Sequence, residues 1–325
     1  MHKRNTLLRL LAAAATLACA GQVHAQATPG WPNGPVRLIT PTPVGVGADA
    51  FARLYADRLA KLLSAPVVVE NRPGASSTLA TDAVAKSPAN GQVFLFSTSL
   101  PITTVPHLMA KLPYNPEKDL VPVAALFRGG SFIVASPSFS GKSLKDLVSI
   151  AKAKPGSINY ATYGPASTAN LGMELLQDAA GIEMVQIAYK QSAMPDLMGG
   201  QLDVGWEPAS SALPNVRSGK LRALAYTGDK RSPTLPDVPT LSEIYPGLEL
   251  FTTIAVWAPA GTPAPVLERM RKAFEAASKD PQVVSALHET GNEVLSITPA
   301  QMQANLARES QSMERLIKAK KIAIN

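Results

Sequence analysis

Twice in this chain an apolar run of strand length ends in a loop of glycine, proline and small hydroxyl residues that opens directly into a stretch of helical period. The first runs from Val36–Thr40 through Pro41–Asp49 into Asp49–Leu63, where Phe51, Leu54, Tyr55, Leu59 and Leu62 fall on one face. The second runs from Ile158–Thr162 through Tyr163–Ser167 into Thr168–Ala180, closed by Gly181. Alternation of this kind predicts α/β units on largely parallel sheets, and two such units in 325 residues predict two lobes. Strands are also expected at Val67–Glu70, Val93–Ser97, Met184–Ala188, Asp203–Trp206 and Leu221–Tyr226, with helices at Thr78–Lys86 and Leu144–Lys154. The first lobe has only about three clear strands before the chain moves on, so it is short of cover. After the proline-rich stretch Ser232–Pro239, the apolar run Leu250–Pro259 and two or three closing helices are expected to return to it. Residues 26–127 and 241–325 then form a discontinuous lobe 1, and residues 128–240 form lobe 2.

The amino terminus changes what the composition means. Lys3, Arg4 and Arg9 precede a short, uniformly small or apolar stretch and then Val23-His24-Ala25, the pattern of a signal peptide over residues 1–25. The apolar run is shorter than the roughly 20 residues of a bilayer span. Cleavage after Ala25 removes three bases and no acid, lowering the formal charge from +7 to +4, and leaves no basic run that would argue for nucleic acid. It also removes the single cysteine, Cys19, and with it thiolate chemistry. Leu17-Ala18-Cys19 loosely matches a lipidation site, but Thr16 stands where a large aliphatic residue is expected, so anchoring at Cys19 is the minor alternative to a cleaved, exported chain.

Catalysis has little raw material here. The mature chain keeps only His107 and His288, with no H-E-x-x-H, no cysteine pair and no G-x-S-x-G, so no metal, cofactor or hydrolytic triad is expected. Thr42, Val44, Gly45, Val46 and Asp49 line the first strand-to-helix loop. A dinucleotide fingerprint would need a third glycine where Ala50 stands, and no G-K-[ST] follows. Helix starts expose free N–H groups that favour an anion, although Asp49 as a simple N-cap accounts for the loop equally well. Thr162, Gly164, Ala166, Ser167 and Thr168 form the matching loop of lobe 2. Its duplication points to one crevice between lobes, where α/β sheets bind ligands. Ser97, Thr98 and Ser99 follow a third strand end, Tyr189 and Lys190 a fourth, and Trp206 and Glu207 a fifth. Trp206 reads either as a pocket wall or as core packing.

Trp31-Pro32, Val36–Ile39, Pro41–Asp49, the V-V-V-E-N-R-P-G-A run Val67–Ala75, Lys111–Pro116, Lys154–Gly156, Leu221–Ala225, the L-P-D-V-P-T run Leu235–Thr240 and Ala258–Pro263 together resemble the tripartite tricarboxylate transporter receptors, or Bug proteins. This resemblance covers nearly the whole mature chain. It implies a two-lobed periplasmic binding protein of the type II kind, which closes on a small organic carboxylate in the cleft between lobes and presents it to the membrane subunits of a transporter. It implies no catalytic step, no nucleic acid and a monomer. A ligand sensor acting on a signalling partner is the alternative, and a hydrolytic enzyme a more distant one.

Departures from the family pattern bear on the ligand. Thr42 replaces an aromatic, Val44 a proline, Val46 and Ala166 glycines, and Asn170 a histidine-like position. Lys190 is followed by Gln191 in place of glycine, and Glu207 stands for an aspartate-type acid beside Trp206. A longer acid near the ligand's far end repels a second carboxylate. A monocarboxylate, an aromatic acid or an amino-acid-like zwitterion is therefore expected at least as readily as citrate.

Overall fold

The computed structural model describes residues 30–44, 48–162, 167–189, 192–248 and 250–320. Pro32 onward forms one unit, and of the short unit before it only Gly30 and Trp31 are described. Eleven strands are named among the described residues: β1 (Val36–Thr40), β2 (Val67–Asn71), β3 (Val93–Thr98), β4 (Leu120–Gly129), β5 (Ser131–Ala135), β6 (Asn159–Thr162), β7 (Val185–Ala188), β8 (Val204–Pro208), β9 (Arg222–Tyr226), β10 (Thr252–Pro259) and β11 (Asn292–Val294). They form a six-stranded sheet in the order β11-β4-β10-β3-β1-β2 and a five-stranded sheet in the order β7-β6-β8-β5-β9.

The strand-to-helix units fold as their residues dictate. Helix Ala48–Leu63 buries Phe51, Ala52, Tyr55, Ala56, Leu59 and Leu63 at three- and four-residue spacing, with Asp49 in its first turn and Lys61 in its last, each matching the helix dipole. Tyr55 closes an aromatic cluster on the first sheet, 6.1 Å from Phe96 and 5.9 Å from Phe274, and its hydroxyl meets Ser278 Oγ at 2.9 Å. Desolvation there pushes the phenol up to about 12. The opposite face of that sheet packs Ile39, Leu95, Ala125 and Trp257 against Ala80, Val84 and Met302. In the second sheet, helix Leu144–Ala153 starts on a Ser143/Asp146 capping box, and helix Thr168–Ala180 runs from the Ser167 cap to Gly181 at φ 61°.

Both sheets are mixed, which corrects the expectation of largely parallel ones. Strands β1, β2 and β3 are parallel to one another, as are β6, β7 and β8, but β10 runs against β3 and β4, and β5 against β8 and β9. The reason is the way the chain changes sheets. β4 passes through Gly130 alone into β5 of the other sheet, and β10 re-enters the first sheet only after the second is complete, so neither β5 nor β10 joins its neighbours by the crossover unit that parallel pairs require. A Cβ at Gly129 would collide with the Asn292 amide, and one at Gly130 with the Tyr226 ring, whose hydroxyl accepts the Gly130 N–H at 3.1 Å.

The return path, from Tyr226 to Thr252, is fastened to the outward one. Thr227, fully buried, accepts the Ser131 N–H at 2.8 Å on Oγ1 and donates from the same oxygen to Leu250 O at 2.8 Å. Its backbone N–H bonds Ser131 O at 3.0 Å and its carbonyl accepts Leu250 N–H at 2.9 Å. Thr227→Val keeps the shape and removes both side-chain bonds, stranding a buried amide. A loss of about 1–3 kcal/mol is expected, read as a lower midpoint with unchanged slope in urea denaturation.

Candidate functional site

The carboxyl ends of the parallel strands in each sheet lie along one edge, the place where α/β sheets present loops to ligands. In the first sheet these ends are Thr40, Asn71 and Thr98. Asn71 organises the loop that follows β1: its Nδ2 donates to Thr42 O at 2.8 Å and to Asp49 Oδ1 at 2.7 Å. Arg53 completes the tie, with Nε on Asp49 Oδ2 at 3.1 Å and Nη2 on Asn71 Oδ1 at 3.0 Å. Asp49 is buried, so its carboxylate is used inward to fix the loop. Thr42 stays at the rim, its N–H on Thr40 Oγ1 at 3.3 Å, and Val44 is 70% exposed. Beyond β2 the chain turns through Ala75, Ser76 and Ser77 with φ of 46°, 50° and 73°. Left-handed non-glycine residues cost roughly 1–3 kcal/mol each and concentrate at binding sites.

In the second sheet, Ser167 Oγ accepts the Asn170 N–H at 3.2 Å and so acts as the helix cap. Thr162 is fully buried, its hydroxyl accepting Gln186 Nε2 at 2.8 Å, and Tyr189 continues the edge by donating its N–H to Thr162 O at 2.8 Å. The Tyr189 hydroxyl donates to Asp196 Oδ2 at 2.5 Å, and that carboxylate pushes the phenol up to about 12. Glu207 is buried at the end of β8 and accepts Ser211 Oγ at 3.2 Å.

Where the two edges meet, a chamber of about 330 Å³ opens, the lower end of the range for small-molecule sites. Thr98 and Ser99 line it from the first sheet, Thr168 and Leu171 from the second, and Leu250–Thr253 from the returning segment. Met302, Leu306 and Glu309 of the last helix, Pro299–Lys320, close its far side. Among the described residues no hydrogen bond occupies the hydroxyls of Thr98, Thr168, Thr252 or Thr253. Arg128 also lines the chamber, its guanidinium 4.2 Å above the Phe251 ring and 3.3 Å from both Asp229 and Glu293. A separate depression of about 510 Å³ lies at the other end of helix Thr168–Ala180, ringed by Lys152, Gln177, Asp178 and Glu183, and shares none of these residues.

The structure thus brings Thr98, Ser99 and Thr168 together. Of the other described residues expected in the site, Thr42, Val44, Asp49, Ser97, Thr162, Ser167, Tyr189, Trp206 and Glu207 do not line this chamber, and Trp206 and Ser97 are among the buried ones. Trp206 does not wall the cleft: it is 2% exposed, its ring lying against Gly172 in the core of the second sheet. Glycine at position 172 leaves the space the indole fills, which decides for core packing. Ser97 is 1% exposed, with Oγ buried and without a partner among the described residues. Gly45, Val46, Gly164, Ala166 and Lys190 lie outside the described residues. Sequence reasoning missed Glu309, Arg128, Phe251, Thr252 and Thr253. Arg128 carried a signal in its place before Gly129-Gly130, whereas Glu309 sits in a polar helix with nothing local to mark it.

Among the described residues no group of three or more histidine, cysteine, aspartate or glutamate side chains is placed to hold a metal, and no helix is long and apolar enough to cross a membrane. His107 Nε2 meets Ser310 Oγ at 2.7 Å.

Comparison with known proteins agrees with this architecture. Residues 51–322 match the model of the tripartite tricarboxylate transporter family receptor. Protein BugT of Bordetella pertussis is 36% identical over 285 residues, 86% of this chain and 87% of that protein. The structure of R. palustris Rpa4515 with adipate superposes with a TM-score of 0.85 at 31% identity, covering 90% of this chain and 99% of that one. The periplasmic binding protein BugD superposes with a TM-score of 0.83, also at 31% identity, covering 90% and 99%. The two-sheet fold, the strand-end cleft and these matches place the chain in the tripartite tricarboxylate transporter receptor family.

Proposed function

We propose that this chain is a periplasmic solute receptor that captures a small organic carboxylate between its two sheets and delivers it to the membrane subunits of a tripartite tricarboxylate-type transporter. The observation that carries this reading is the chamber at the meeting of the strand ends, with the Thr98 and Thr168 hydroxyls unoccupied beside the start of a thirteen-residue helix. Free N–H groups and the positive end of a helix dipole favour an anion there, and hydroxyls add directed donors. Adipate in the related structure is a ligand of the same chemical class. Binding drives closure only to the extent that the ligand contacts both sheets in the closed form and one in the open form. Signal cleavage after Ala25 and a monomeric state belong to the same proposal, and the reading contains no catalytic step.

Isothermal calorimetry against a panel of mono- and dicarboxylates tests it. Thr168→Ala should weaken the best ligand about tenfold or more, since a hydrogen bond to a charged group contributes roughly 1.5–3 kcal/mol. Undiminished binding in this variant removes Thr168 from the site, and no binding by any carboxylate sinks the proposal. Asn71→Ala tests the loop from behind. It should lower the melting temperature, because Asp49 and the Thr42 carbonyl lose a donor, and weaken binding even though Asn71 need not touch the ligand.

A further inference from the structure

The chamber has one acid of its own. Glu309 Oε1 accepts Ser99 Oγ at 2.7 Å and Thr103 Oγ1 at 2.9 Å, so the carboxyl is anchored from the first sheet's side. Oε2 has no partner among the described residues. Burial pushes this carboxyl above the usual glutamate range and the two hydroxyls on Oε1 pull it back. The cation lining the same space, Arg128, is engaged by Asp229 and Glu293 and by the Phe251 ring. Leu171, Phe251 and Leu306 give the chamber apolar lining beside its polar groups. A fixed carboxyl oxygen thus shares the chamber with the Thr98 and Thr168 hydroxyls.

We propose that Glu309 is a specificity-determining residue: the chamber takes a carboxylate whose far end carries a hydrogen-bond donor, an ammonium or a hydroxyl, against Oε2, and turns away a second carboxylate. This rests on the receptor reading above and narrows its ligand. A donor-ended ligand satisfies Oε2, an unsubstituted chain leaves it without a partner, and a terminal carboxylate is set against a second carboxyl group.

Four ligands of equal chain length separate these cases on the whole protein: ω-aminohexanoate, ω-hydroxyhexanoate, hexanoate and adipate. Calorimetry should find the amino and hydroxy acids bound about tenfold or more tightly than adipate. Glu309→Gln should reduce the amino acid's advantage and tighten adipate, each by about tenfold. Leu306→Trp, which fills the chamber from the same helix, should weaken all four and covers the case in which Glu309→Gln melts early. Adipate as the tightest ligand of the native chain overturns the inference, as does an affinity order that Glu309→Gln leaves unaltered; in both cases the receptor reading stands. Failure of every carboxylate to bind the native chain removes the receptor reading and the inference with it.

Discussion

One side-chain oxygen, Oγ1 of Thr227, holds the outward and returning connections of the two sheets together. It accepts from Ser131 and donates to Leu250, so the two segments that join the sheets cannot part without exposing or stranding buried polar groups. The strand ends that form the cleft are placed by this tie. Around it, ion pairs of Arg128 with Asp229 and Glu293, and of Lys230 with Glu293, are half-exposed and contribute little individually. Hydrogen bonding at the crossing is thus the directional constraint, and the charges beside it are adjustable.

Local pattern carried the strand-to-helix units. Helix Thr168–Ala180 was legible to the residue because Ser167 and Gly181 are capping residues of strong preference, and the face of helix Ala48–Leu63 followed from apolar spacing. β4 was not legible, for a physical reason. Pro122 lacks the N–H of a central strand, and its tolerance depends on a register shift in the β10 ladder between Val256 and Trp257. β5 escaped because its fully buried run S-F-I-V-A, Ser131–Ala135, follows β4 with one intervening residue and no turn signal beyond two glycines. The site was legible as loops and not as partners. Thr98, Ser99 and Thr168 were marked by their place after strands or before a helix. That Trp206 faces inward depends on Gly172, thirty-four positions earlier, and Glu309 reaches Ser99 across 210 positions.

Residue type alone also misled about which polar groups are available. Asp49, Thr162 and Tyr189 all stand at the expected edge, yet each is committed to Arg53 and Asn71, to Gln186, or to Asp196. Such inward commitments are what preorganise a site, since a loop already held in place loses less freedom when the ligand arrives. The groups left over, chiefly threonine hydroxyls and one carboxylate oxygen, are few, and their small number is what makes the choice of ligand sharp.

The position of β10 has a further consequence. It lies between β3 and β4, both of which precede the second sheet in the chain, while β10 itself comes after that sheet is complete. The first sheet's interior can therefore close only once the polypeptide has travelled out and back. Severing the chain at Gly130 would not release two autonomous modules, because the amino-terminal fragment would lack its middle strand and the covering helices Ala264–Ser278 and Pro299–Lys320. Two sheets that meet at a narrow crossing are, in their assembly, a single cooperative unit of high contact order.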